Sequence, residues 1–221
     1  MRLLIADLRN EFSRHADDKK ASAMSNYMKN HFVFHGIQKP LRSELQRTFI
    51  HELKKESMDE CHALVEELWS LPEREYQYVA MESLLAVKKK WIPATYQLAE
   101  KLIVTKSWWD SVDLLAARVI GHFLLKNPAA YRERILAYSQ SENIWLNRTV
   151  LISQLFAKDK TDTSLFETAF LNCHHKKDFF IQKAIGWALR QYSSTDPEFV
   201  KWFVAANAIT GIAGREALRK I

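Results

Sequence analysis

Glycine and proline are scarce, with 5 of each in 221 residues, against average usage of roughly 7% and 5%. Too few turn-formers remain for a many-stranded sheet, so helices are the expected element. There are only two cysteines, Cys61 and Cys173. That excludes a disulfide framework, suits a reducing compartment and leaves both expected as buried, inert thiols. No stretch reaches the ~18 apolar residues of a membrane span. Residues 1–7 become charged before a signal-peptide core can form, so a cytoplasmic location is expected. No glycine-rich loop of the P-loop or Rossmann kind appears. Cys61-His62 and Cys173-His174-His175 lack the paired spacing of a zinc site, and neighbouring helix residues diverge by about 100°. No recognisable motif surrounds a nucleophilic serine or cysteine. Neither a metal nor a cofactor is expected.

What is present supports a folded, basic, helical chain. Hydrophobic residues make up 48% and charged residues 26%, enough to bury a core. Lys and Arg number 32 against 26 Asp and Glu, a net charge of +6 that permits a polyanionic partner. Val79, Ala80, Leu84, Leu85 and Val87 follow the rhythm of one buried helix face. Pro40, Pro72, Pro93, Pro128 and Pro197 stand where helices can begin, and Asp59, Ser107, Asp162 and Thr195 read as further start signals. No linker divides the chain, so residues 1–221 read as one domain.

A repeat runs through it. The segments opening at Ala80, Ala116, Val150 and Ala184 lie 36, 34 and 34 positions apart. Each is followed by a second helix, expected over 93–104, 128–139, 163–173 and 197–206. A helical pair at that period predicts an all-α fold, an α-solenoid of HEAT-like or armadillo-like repeats with a concave groove along one side.

Several side chains could carry chemistry on such a groove. Trp109 and Asp113 are four apart, so an indole and a carboxylate share a helix face. Asp110 also suits a helix start, and one of Trp108 and Trp109 could be core. Lys183, Trp187 and Arg190 form a second stripe, readable as a DNA-facing surface or as a solvated face around a core indole. Arg148 begins the corresponding helix of the repeat between, and packed helices would bring Asp113, Arg148 and Trp187 together at about 10 Å spacing. Cations that meet phosphates beside aromatic faces suit nucleic acid. Near the N-terminus, Tyr27, Lys29 and Arg42 read either as nucleic-acid contacts or as parts of an aromatic core cluster. Lys88-Lys89-Lys90 closes a helix, as the dipole favours, or meets phosphate.

Tyr27-Met28-Lys29-Asn30 with Phe32 and Gly36-Ile37, Ser107-Trp108-Trp109-Asp110-Ser111-Val112-Asp113, Arg148, residues 179–190 and Arg215-Glu216-Ala217-Leu218 carry a resemblance. Together they resemble the AlkD-type DNA alkylation repair family over essentially the whole chain. Ser43, after Pro40-Leu41-Arg42, departs from the basic residue expected there. The resemblance implies a monofunctional glycosylase that removes positively charged N3- and N7-alkylated purines from double-stranded DNA. It implies Asp113 as the catalytic carboxylate, Trp109 and Trp187 as its aromatic walls, Arg148 as a DNA-backbone contact and Tyr27 as an aromatic beside the lesion. Lys29, Arg42, Lys183 and Arg190 complete the expected DNA-binding set. A capped array of this kind is expected as a monomer without membrane association. The rival readings are a non-catalytic DNA-binding paralogue and a protein-binding HEAT scaffold.

Overall fold

A computed structural model describes residues 2–221; Met1, the first residue of the segment read for targeting signals, lies outside them. The chain is all-α and belongs to the α-solenoid class of successive helical repeats. It divides into two compact units, Met1–Leu98 and Ala99–Ile221.

The first unit contains α1 (Arg2–Arg14), α2 (Asp18–Tyr27), α3 (Lys39–Leu45), α4 (Arg47–Leu53), α5 (Met58–Ser70) and α6 (Arg74–Ala86). α5 and α6 pack as a hairpin, α1 lies against α3 and α4, and α4 meets α6. Phe12, Ile37, Leu53, Leu68 and Leu84 are fully buried in this core. Buried Glu75 accepts hydrogen bonds from the backbone N–H groups of His35, Gly36 and Ile37 at 3.1, 2.9 and 3.0 Å, which fixes the segment before α3. One lysine of the run after α6 serves the fold: Lys90 Nζ donates to the carbonyls of Lys54 and Glu56 at 2.6 and 3.1 Å, just beyond the end of α4. A cation is favoured at such a carbonyl end.

α7 (Pro93–Ile103) carries the chain across the boundary between the units. The second unit continues with α8 (Trp109–Leu114), a π-helical segment (Leu115–Ile120) and α9 (Gly121–Lys126), which follow without a break. Then come α10 (Pro128–Ala137), α11 (Ile144–Ile152), α12 (Thr163–Cys173), α13 (Phe179–Tyr192), α14 (Pro197–Ala206) and α15 (Gly211–Ala217). α11 packs against α8, α12 and α13, and α13 packs most extensively against α15. The expected second helices of the repeats are α7, α10, α12 and α14, three of them opening on proline.

Some caps differ from expectation by one or two residues. α5 is capped by Ser57, which accepts from Glu60 N–H at 3.2 Å, and Asp59 lies inside its first turn. α14 is capped by Asp196, which accepts from Phe199 N–H at 2.9 Å, so Thr195 precedes the cap. Proline at the first helical position leaves the residue directly before it as the cap, which selects Asp196. α8 is preceded by extended Trp108, while Ser107 Oγ turns back to the Ile103 carbonyl at 2.6 Å. Asp162 caps α12 as expected, accepting from Leu165 N–H at 2.9 Å. Both cysteines are buried free thiols. Among the described residues no helix is long and apolar enough to cross a membrane.

Candidate active site

The second unit contains a buried carboxylate held by an arginine. Asp113, near the end of α8, accepts two parallel hydrogen bonds from Arg148 on α11: Nε to Oδ1 at 2.6 Å and Nη2 to Oδ2 at 2.8 Å. Arg148 Nη1 donates to the Phe180 carbonyl at 2.6 Å, in the first turn of α13. One guanidinium therefore ties together the three helices α8, α11 and α13. Such a bidentate pair fixes the carboxylate plane as well as its place. Only 6% of the Arg148 side chain and 16% of Asp113 reach solvent. Burial pushes the Asp113 carboxyl above its usual range, opposed by the hydrogen bonds and charge of Arg148, while Asp110 adds to the rise.

Aromatic rings cluster where α8, α11 and α13 begin. Trp108, just before α8, lies 5.7 Å from Trp145 and 5.1 Å from Phe180, and Trp145 lies 5.0 Å from Phe180. The Trp108-Trp109 dipeptide thus places its first indole in this ring cluster. Trp109 opens α8, half-buried, one helical turn before Asp113. Trp187 lies half-buried on α13, between Lys183 and Arg190. The π-helical segment begins two residues after Asp113. Such segments recur at functional sites, and nothing in the local sequence announces this one.

The repeat reveals how position 113 is used. Gln77, Asp113 and Asn147 each stand three residues before the start of a repeat segment, at Ala80, Ala116 and Val150. Gln77 Nε2 donates to carbonyls nine, eight and six residues back, those of Leu68, Trp69 and Leu71. Asn147 Nδ2 repeats the pattern on Tyr138, Ser139 and Ser141. In both repeats a buried amide staples the preceding helix end. Asp113, as a carboxylate, has no N–H to give and faces Arg148 instead. Lys176 Nζ donates to Asn147 Oδ1 at 2.7 Å, so the residue preceding Arg148 is itself held firmly.

The remaining expected residues fall into two groups. Lys183 and Arg190 both donate to Glu216 on α15, Lys183 at 2.8 Å. Glu216 thus does more than contribute to the Arg215-Glu216-Ala217-Leu218 segment. In the first unit, Tyr27 ends α2 with its side chain exposed, and Lys29 follows in the left-handed region at φ 56°, also exposed. Arg42, expected to face a phosphate, instead turns inward: it is 5% exposed, donates to Glu82 at 2.9 Å and lies over the Tyr78 ring at 4.7 Å. Arg148 is likewise drawn inward by a carboxylate. The physical cause is the same for both, because a buried guanidinium requires an acid beside it. Among the described residues, no group of three His, Cys, Asp or Glu side chains is arranged to hold a metal ion.

Comparison with known proteins agrees with this architecture. Residues 8–221 match the family model for DNA alkylation repair enzymes. A solved structure described as "Predicted DNA alkylation repair enzyme from Enterococcus faecalis" superimposes with a TM-score of 0.87 at 32% identity, covering 93% of this chain and 96% of that one. No curated protein matches. An almost full-length family match, joined to a homologous fold at this identity, places the chain in the family of DNA alkylation repair enzymes, with a role in the repair of alkylation damage.

Proposed function

We propose that the protein is a monofunctional DNA glycosylase that excises positively charged N3- and N7-alkylated purines, such as 3-methyladenine and 7-methylguanine, from duplex DNA. The observation that carries this reading is the Asp113–Arg148 pair, a largely buried carboxylate locked in one orientation beside Trp109. Alkylation at N3 or N7 makes the purine cationic. When the C1′–N bond breaks, its electron pair neutralises the departing base and positive charge develops on the deoxyribose. A carboxylate in a poorly hydrated setting stabilises that charge strongly. Asp113 then orients the water that adds to C1′ and accepts its proton. Trp109 and Trp187 supply cation–π attraction to the lesion and keep bulk solvent away. Neutral purines retain a stronger bond, so selectivity arises partly from the substrate.

Arg148 acts in this reading mainly as a positioning residue. Its charge favours the ionised form of Asp113 against the effect of burial, and its fork holds the carboxylate oxygens in place. Exposed Lys29, together with Lys183 and Arg190, supplies phosphate contacts, and Tyr27 supplies an aromatic face. Arg42 supports them from within.

The test is release of free methylated purine from methylated duplex DNA, leaving abasic sites and uncut strands. Salt-dependent duplex binding without base release would move the assignment to a non-catalytic DNA-binding paralogue. Absence of duplex binding would favour a protein scaffold.

A further inference from the structure

Lys183 and Arg190 stand two turns apart on one face of α13, with Gly186 between them. α15 crosses α13 so closely there that a Cβ on residue 186 would lie 2.6 Å from Glu216 Cβ and 2.8 Å from the Ala213 carbonyl. The missing side chain lets Glu216 reach between the two cations. Oε1 accepts from Lys183 Nζ at 2.8 Å and Oε2 accepts from Arg190 Nη1. The group remains at the surface, with 38%, 22% and 19% of the Lys183, Arg190 and Glu216 side chains exposed.

α15 is held by packing as well as by the charge of Glu216. Ala213, Gly214 and Ala217 are buried on α15 and supply its packing, and partly exposed ion pairs add little stability. What the carboxylate does supply is two anionic oxygens spread across a Lys–Arg pair, the arrangement those cations would give a phosphate. We propose that Glu216 is an internal stand-in for a DNA phosphate. It keeps Lys183 and Arg190 aligned for the backbone and competes with the duplex for them, which limits affinity for undamaged DNA. This proposal rests on the reading that Lys183 and Arg190 meet the duplex.

Two positive charges facing the duplex become one net positive charge while the carboxylate is present. Removing it should therefore strengthen the counterion-release term of binding. One additional neutralised phosphate steepens the dependence of log affinity on log salt by about 0.9.

The experiment measures binding of an undamaged fluorescent duplex across a salt series. Glu216→Gln, which keeps size and one acceptor, should tighten binding by roughly three- to tenfold at low salt and steepen the slope by about one. Glu216→Asp, which keeps the charge, should bind as wild type does. In a Lys183→Gln, Arg190→Gln background the gain from Glu216→Gln should vanish. Unchanged or weaker binding by Glu216→Gln, a gain that persists without the two cations, or unfolding of the Gln variant would each overturn the proposal. If wild type itself bound duplex without salt dependence, the DNA-binding reading would fall as well. Steep wild-type salt dependence that Glu216→Gln leaves untouched would remove the phosphate mimic alone.

Discussion

Asn147 and Asp113 occupy the same place in successive repeats, 34 residues apart, yet only Asn147 staples the preceding helix end with its amide. The carboxylate at 113 gives up that staple and accepts a buried position beside Arg148. In the proposed reading a functional residue stands at a position that two other repeats use for holding the chain, as stability–activity trade-offs lead one to expect.

Asp113→Asn should fold, because asparagine brings the amide donor found at Asn147 and keeps one acceptor for Arg148. It should also be less stable than wild type at neutral pH by about 1–3 kcal/mol, because the buried Arg148 guanidinium loses the acid beside it. A thermal denaturation midpoint at or above that of wild type would contradict the pairing argument.

The proposed chemistry should depend on pH. Burial holds the Asp113 carboxyl above its ordinary value of 3.8. The proposed mechanism uses the ionised form, so the acid limb of excision should lie above 3.8, after subtraction of spontaneous base loss.

Arg148→Gln removes the charge that opposes the burial of Asp113. Its acid limb should move further toward neutral pH, and raising the pH should recover part of the lost rate. Duplex affinity should change less than tenfold, since three of the guanidinium hydrogen bonds stay within the protein. A large loss of affinity with an unmoved limb would assign Arg148 to the phosphates instead.

Lys29 and Arg42 should separate in the same way. Lys29 is exposed, and Lys29→Ala should reduce the salt slope of duplex binding by about one with little change in stability. Arg42→Met should lower stability, because Glu82 loses a hydrogen-bonded partner within the first unit. Denaturant titration and binding isotherms on the two variants decide the matter.

Gly121→Ala tests the junction that follows the π-helical segment. A Cβ there would meet the Ser153 carbonyl at 2.1 Å, a backbone atom that cannot move aside alone. Overpacking of this kind costs about 1–3 kcal/mol. It would also separate the helical run bearing Asp113 from α11, which bears Arg148, so stability and excision should fall together. Unchanged activity would show that the pair tolerates movement of its helices.

Much of this was legible in the sequence because it follows local rules. The proline-led helices α7, α10 and α14 and the Asp162 cap of α12 lie where period and capping chemistry put them. The closeness of Asp113 to Arg148 followed from adjacent repeats with matching helices. What remained hidden depends on partners far along the chain. Whether Arg42 or Arg148 faces water is decided by Glu82, 40 residues away, and Asp113, 35 residues away. The carboxylate that pairs with Lys183 and Arg190 comes from a different helix, whose close approach requires glycine at 186. The π-helical segment has no local signature at all.

The most direct measurement is single-turnover release of 7-methylguanine and 3-methyladenine from methylated duplex DNA by wild type and by Asp113→Asn, with duplex affinity measured alongside. The account predicts release by wild type, a loss of roughly 10²–10³-fold in the variant, and equal or tighter binding once a negative charge is removed from the site. Excision at an undiminished rate by Asp113→Asn would contradict it.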